Sequence, residues 1–375
     1  MGGVLLKVMH VAEYTKGGVA TYLENVISFQ KKHSEISKVY LVCSAVHAAD
    51  FERMMCEKFQ VLKYDYERHP KYFLSAIKKI NEYIESVSPD IIHIHSSFAG
   101  VFVRLLYFIK RKKAKIVYCS HGWSFLMDTG NVKKRVYAFL EKVLSLKTDK
   151  IINISEYEYK NSIKYGLPKE KSITILNGVS NFCDIDFQKN DINLKVDKNK
   201  INLLFVGRFD KQKGLDILVD FFHKYRLEHI MLYVIGEPVL GDLSFTFPDN
   251  IKHLGWVPNQ LIDDYYKQFD AVIMPSRWEG FGLVAIEAMK NKLPVIASNR
   301  GALPEIIEHN TNGYIFDLNK EEELLNILRG LNKEQLKQMG LKGYKIFKNK
   351  FSSESMNESI LHVYRELLDA SSVSS

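Results

Sequence analysis

The chain holds 375 residues, 46% of them apolar and 26% charged, with 21 glycines and 9 prolines. These values exclude a disordered chain, a collagen-like fibre and a coiled coil, and the length suits two domains of roughly 150 residues better than one. The formal net charge of +8 is unevenly spread: residues 1–200 carry +11, residues 201–375 carry −3, and residues 101–150 alone carry +9. Such asymmetry bears on partners rather than on fold. No apolar run approaches the ~18 residues of a membrane span. MGGVLLKVMHV lacks a basic n-region and a small-residue cleavage site, so no signal peptide is expected. Leu6 stands where a Met1-Gly2 myristoylation signal wants Ser or Thr. Cys43, Cys56, Cys119 and Cys183 show neither metal nor redox spacing, and a reducing cytosol is the simplest setting.

Along the chain, short β-branched runs alternate with longer helical ones. The pattern predicts strands at residues 4–11, 39–43, 91–95, 116–119, 151–154 and 173–176. After a break it predicts others at 203–206, 231–235, 271–274, 295–297 and 313–316. Several are almost wholly apolar, as parallel strands covered on both faces must be. Strand–helix alternation occurring twice predicts two doubly wound α/β domains. The polar stretch at 181–200 separates them, so a first domain is expected over 1–183, a linker over 184–200 and a second domain over 201–353. An amphipathic helix at about 354–368 repeats apolar residues at Met356, Ile360, Val363 or Tyr364, and Leu367, and needs a surface to pack on. The tail beyond it reads as frayed.

Four stretches carry candidate chemistry. Gly17-Gly18 lies between the first strand and a helix, where glycine allows a backbone close to a ligand. His121 directly follows a predicted strand, and in α/β sheets ligands bind beyond the carboxyl ends of strands. In INLLFVGRFDKQKGLDILV (201–219), Arg208 stands at a strand end and Lys213 just before Gly214, two cations suited to holding a diphosphate. In PSRWEGFGLVAIEAMKNKLPVIAS (275–298), a glycine-bearing loop opens a helix. The N–H groups of Phe281, Gly282 and Leu283 there favour an anion, and Glu279 and Glu287 flank the site as acceptors for hydroxyls. Two basic clusters stand apart: Lys110-Arg111-Lys112-Lys113 with Lys115, and Lys133-Lys134-Arg135. The second opens a helix with apolar positions Val136, Phe139, Leu140 and Val143. Cations at a helix start are disfavoured by about 0.3–1 kcal/mol each, whereas an anionic membrane surface gains about 1 kcal/mol per nearby Lys or Arg. These stretches carry no nucleic-acid-binding motif.

Together, EGFGLVAIE (279–287), GRFDKQKG (207–214), the GGV near the N-terminus and NGV at 177–179 resemble glycosyltransferase family 4, the retaining enzymes of the GT-B fold, over essentially the whole chain. The resemblance implies two Rossmann-like α/β domains facing a central cleft, with the final helix returning to the first. Gly17 and Gly18 would approach the donor diphosphate, and Arg208 and Lys213 would clamp it. Glu279, Gly280 and the Phe281–Leu283 amides would hold the donor sugar and phosphate, Glu287 the ribose, and His121 would face the reacting sugar. Ser180 and Gly122 depart from the family pattern, so NGV is expected to be a hinge marker, and His121 to orient the sugar rather than act as general base.

The expected reaction is retaining transfer of a sugar, hexosyl or N-acetylhexosaminyl, from a nucleotide-diphosphate donor, a UDP-sugar. The acceptor would be a glycan, lipid-diphosphate-linked, in bacterial surface polysaccharide assembly. Neither cofactor nor metal is expected, because cations and helix N–H groups can stabilise the leaving diphosphate. The expected partners are the donor, the acceptor and an anionic membrane surface, not nucleic acid. The expected location is the cytoplasm, peripheral on the inner face of the plasma membrane. A soluble-acceptor transferase and a non-catalytic nucleotide-sugar-binding protein are the alternatives. Asp184-Ile185-Asp186 matches the Asp-x-Asp of metal-dependent transferases but falls in the expected linker, where it reads as plain acidity.

Overall fold

A computed structural model describes residues 5–110, 114–180, 194–238, 245–259 and 261–372, with side chains to residue 370. Cys183, Arg111–Lys113, most of the expected linker with its Asp184-Ile185-Asp186, and the end of the tail lie outside the described residues. The chain divides into two compact units, Met1–Val179 with Ser353–Ser375, and Ser180–Ser352.

The first unit is built on seven parallel strands: β1 (Leu6–Ala12), β2 (Ile36–Ser44), β3 (Phe59–Tyr64), β4 (Ile91–His95), β5 (Lys115–Cys119), β6 (Lys150–Asn153) and β7 (Ser172–Thr174). Their spatial order is β3-β2-β1-β4-β5-β6-β7. The second has six: β8 (Ile201–Val206), β9 (Ile230–Ile235), β10 (Ile251–Gly255), β11 (Ala271–Met274), β12 (Val295–Ser298) and β13 (Gly313–Phe316), ordered β10-β9-β8-β11-β12-β13. Parallel strands need crossovers, and helices supply nearly all of them, so both faces are covered and the central strands are mostly apolar. The order reverses once in each sheet, between β1 and β4 and between β8 and β11.

Two strands escape the sequence pattern. FQVLKY of β3 and IKHLG of β10 are edge strands, partly exposed and carrying polar residues, which keeps an open edge from pairing with another chain.

The C-terminal helix, Ser353–Ser372, packs on the helix Gly18–Gln30 within the first unit, burying Met356, Ile360, Leu361, Val363 and Tyr364. Arg365 grips Glu35 through two bonds of 2.8 and 2.6 Å. Ser353 N donates to Val179 O at 3.2 Å, so the two points where the chain leaves and re-enters this unit adjoin.

The helix Asn131–Ser145 is seated by a buried ion pair together with Ala138 and Leu144, while most of its larger apolar residues face outward. Glu141 is buried, accepting from Arg104 Nη2 at 2.8 Å and from Tyr118 OH at 2.9 Å, and the Arg104 guanidinium lies 3.8 Å from the Tyr118 ring centre. Removing one member of such a pair leaves the other charge uncompensated in the core. Replacing Glu141 by Leu is expected to lower the unfolding free energy by about 3–5 kcal/mol, read as a shift in the urea midpoint. The double replacement Arg104→Met with Glu141→Leu should recover most of that loss.

Candidate active site

In the second unit, the loops after β8 and β11 flank the point where strand order reverses, the place where open α/β sheets bind ligands. The loop after β8 carries Arg208 and Lys213. Asp210 organises it: Oδ1 accepts the Lys213 N–H at 3.0 Å, and Oδ2 pairs with Arg208 Nη2 at 2.8 Å. Arg208 also donates to Gln212 Oε1 at 3.2 Å while its side chain stays exposed.

The loop is stitched to its neighbour. Arg277 N donates to Gln212 O at 2.8 Å, Gln212 Nε2 donates to Trp278 O at 3.2 Å, and the Arg277 guanidinium holds Asp216 through bonds of 2.8 and 2.6 Å. Gly214 (φ +74°) lies so close that a Cβ would stand 2.3 Å from Pro275 O. Only glycine satisfies both the backbone angle and the approach.

This stitching brings Lys213 Nζ to 2.6 Å from Glu279 Oε2, with both side chains largely buried. The helix Leu283–Lys290 begins behind Glu279, capped by the left-handed Gly282 with no side chain bonded to its end. Its first N–H groups therefore point beyond the helix. Phe281 turns into the core against Phe351 and offers only its backbone. Glu287 sits one turn in, and Tyr266 OH donates to its Oε2 at 3.1 Å. Burial raises the Glu287 pKa, while Lys290, the Tyr266 hydroxyl and Lys213 oppose that rise. Lys213 thus acts on both carboxylates. Arg208, Lys213, Glu279, Gly280, Phe281, Gly282, Leu283 and Glu287 all lie on these two adjoining loops and the helix that follows.

In the first unit, Gly17 (φ 60°) caps the helix Gly18–Gln30, and open space surrounds the position of its missing Cβ. Both glycines are exposed. His121 follows β5 with a left-handed backbone (φ 54°) and is half-buried. Tyr22, from the helix that Gly17 caps, packs edge-on against the His121 ring at 4.5 Å. His121 Nε2 meets His95 Nδ1 at 2.9 Å, while Nδ1 makes only a long contact of 3.7 Å with the Cys119 Sγ.

Sequence reasoning missed Asp210, Gln212, Tyr266 and the Arg277–Asp216 pair. Asp three residues before Lys213 was a readable turn signal. Tyr266 had none, since it reaches Glu287 from a separate helix. His10, His93 and His95 were missed as well, all fully buried on one face of β1 and β4.

Two units, each a parallel sheet, with a cation–carboxylate cluster at the strand-order reversal of the second, have the two-domain α/β architecture of the GT-B class. The chain belongs to glycosyltransferase family 4: the family descriptions "Glycosyltransferase Family 4" and "Glycosyl transferases group 1" match residues 16–181 and 186–345. It is 34% identical over 371 residues to the "uncharacterized 41.2 kDa protein in cps region" of Klebsiella pneumoniae, covering 96% of this chain and 99% of that protein. It is 28% identical over 318 residues to the capsular polysaccharide biosynthesis glycosyltransferase CapM of Staphylococcus aureus, covering 80% and 82%. Among solved structures, the sucrose-phosphate synthase of Thermosynechococcus elongatus superposes with a TM-score of 0.81 at 19% identity over 97% of this chain and 100% of that one. Anabaena HepE, solved with UDP-glucose, gives 0.76 at 18% over 96% and 100%.

Burial holds the histidines neutral. It pushes His10 down to about 4 and His121 to about 3, and with the neighbouring imidazoles it drives His93 and His95 well below the ordinary 6.5. The unfolded chain takes up these protons as the pH drops through 6.5, but the folded chain does so only near the lowered values. Their contribution to stability is therefore full above about 6.5 and is lost as the pH falls from there, down to about 4 for His10 and about 3 for His121. For His10 alone the loss is about 3 kcal/mol. The melting temperature should fall steeply across that window, and His93→Leu should flatten the fall; parallel curves would contradict this account.

Proposed function

We propose that the chain is a retaining glycosyltransferase that moves a sugar from a UDP-sugar to a lipid-diphosphate-linked glycan in the assembly of bacterial surface polysaccharide, without a metal. The observation that carries this reading is the Lys213 ammonium, ion-paired with Glu279 and acting on Glu287 beside a helix start that no side chain caps. CapM, named for capsule synthesis, and the HepE complex with UDP-glucose support the pathway and the donor class.

Cleavage of a sugar–phosphate bond places negative charge on the departing diphosphate and positive character on the anomeric carbon. Lys213, Arg208 and the N–H groups opening the helix Leu283–Lys290 stabilise the first, already oriented before the charge develops. Glu279 holds Lys213 in place, and the donor sugar's hydroxyls meet its carboxylate and the neighbouring Gly280 backbone. With Tyr266 on Oε2, Glu287 presents Oε1 to the ribose hydroxyls. Gly17 and Gly18 supply exposed backbone for the diphosphate. The acceptor hydroxyl attacks on the face that the phosphate leaves, and the leaving phosphate oxygen takes its proton, so configuration is retained without a protein nucleophile.

The membrane surface is part of the same reading. On the helix Asn131–Ser145, Val132 (77% exposed), Val136, Phe139 (64%), Leu140 and Val143 face outward, because the inward side is given to Ala138, Glu141, Leu144 and Ser145. The helix Ser97–Ile109, joined to it through Arg104 and Glu141, exposes Leu105, Phe108 and Ile109. Lys134, Arg135 and Lys164 line a shallow concavity beside this face with Asn131 and Tyr165. An apolar face rimmed by cations fits an anionic bilayer, which accepts both. No helix among the described residues is long and apolar enough to cross a membrane; in this reading the outward apolar face rests on the bilayer surface, on its cytoplasmic side.

Lys213→Ala is expected to lower transfer at least ~100-fold. Glu287→Ala should abolish the rise in melting temperature that a UDP-sugar gives in a thermal-shift screen against GDP-, ADP- and dTDP-sugars. EDTA should leave the rate unchanged. Full activity in Lys213→Ala and Glu287→Ala would overturn the assignment.

Flotation with anionic liposomes at low salt should carry the protein upward, and Val136→Asp with Phe139→Asp should leave it at the bottom. Failure of the unsubstituted protein to float would remove the membrane from the reading.

A further inference from the structure

His10 on β1 and His93 and His95 on β4 project from one face of the first sheet, with His10 aligned to His93 and Ala12 to His95. The chain of bonds through them is continuous. Gln30 Oε1 meets His10 Nε2 at 2.8 Å, His10 Nδ1 meets His95 Nε2 at 2.9 Å, and His95 Nδ1 meets His121 Nε2 at 2.9 Å. At the far end, Gln30 Nε2 donates to Tyr364 OH at 3.4 Å, and Tyr364 OH stands 2.7 Å from His93 Nδ1. Gln30, Tyr364 and all three histidines of the sheet are buried.

A neutral imidazole carries one N–H and one lone pair, so each ring passes its orientation to the next. The Gln30 carbonyl accepts, so His10 carries its proton on Nε2 and offers the Nδ1 lone pair. His95 then donates from Nε2 and accepts at Nδ1, and His121 donates from Nε2. The His121 Nδ1 lone pair remains, and among the described residues it meets the weak thiol donor of Cys119 at 3.7 Å.

We propose that Gln30, His10 and His95 form a positioning relay that fixes His121 as the Nε2–H tautomer, so that its Nδ1 serves as a hydrogen-bond acceptor for a substrate hydroxyl. The function of the relay rests on the reading of the chain as a sugar transferase. Its consequence is a requirement on the substrate: the group placed against His121 is a hydroxyl that donates, and a sugar deoxygenated there is a poorer substrate.

His10, His93 and His95 also bring ring nitrogens within 4.8 Å of one another, a spacing open to a metal ion. Yet both nitrogens of His10 and both of His95 are spent in the relay, and a metal would have to break it.

The test is long-range proton–nitrogen NMR of protein labelled at histidine, with the His121 signal assigned by its loss in His121→Gln. The expected result is the Nε2–H pattern at His10, His95 and His121. In Gln30→Leu, which removes the orienting carbonyl, His121 should pass to a mixture of tautomers, with transfer slowed about tenfold and the donor KM little changed. Gln30→Glu, which keeps an acceptor at the same place, should restore both the signal and the rate. An Nδ1–H pattern at His121 in the unsubstituted protein, an unchanged His121 signal in Gln30→Leu, or displacement of the tautomer signals by one equivalent of zinc would each overturn the relay. Absence of transfer with every donor would instead strike the proposed function, because the tautomers are read without turnover.

Discussion

A parallel sheet must be re-entered from the same end at every strand, so all its useful loops gather along one edge, and adjacent loops part only where strand order reverses. The second unit exploits that single gap. The loops after β8 and β11 come together there closely enough that Gly214 leaves no room for a side chain against Pro275 O. From the other side, Gly301 (φ +60°) presses on Glu279, where a Cβ would stand 1.9 Å from its carbonyl oxygen. Lys213 and Glu279 meet because the backbones carrying them are clamped by two glycines. Without those close approaches the ion pair would dissolve into two solvated side chains of little consequence.

Most of the architecture was legible because central parallel strands must be apolar on both faces, and runs such as AVIM and VIAS have no other economical use. The edge strands β3 and β10 were not, since an edge is kept mixed in polarity and loses the signal that marks a strand. The Glu279–Glu287 spacing was legible along one loop and helix. What those carboxylates touch was not, because Tyr266 and Lys213 arrive from elements 21 and 66 residues away. The buried histidines show the same limit: the alternation in IIHIH places His93 and His95 on one face, but nothing local says that His10, 85 residues from His95, completes the set.

The helix Asn131–Ser145 shows how tertiary chemistry reverses a pattern. Its apolar residues repeat as a core stripe would, yet the buried side is anchored by Glu141 on Arg104 and Tyr118, and the stripe faces out. A buried ion pair is costly to assemble, and an apolar stripe facing water is unfavourable. Both costs make sense together if the orientation itself is the product, a rigidly held apolar face among lysines and arginines.

Charge is distributed in the same spirit across the candidate site residues. Around Lys213 the second unit collects cations and helix N–H groups, which suit a departing diphosphate. At His121 the first unit does the opposite: desolvation lowers the imidazole pKa and disfavours the charged ring, and Nε2 is engaged with His95 at 2.9 Å. In the proposed transfer that contrast is required by the chemistry. The anomeric carbon gains positive character as the bond to phosphate lengthens, and an imidazolium beside it would raise the barrier by like-charge repulsion. A neutral ring offering a lone pair orients the sugar without opposing the charge that forms on it.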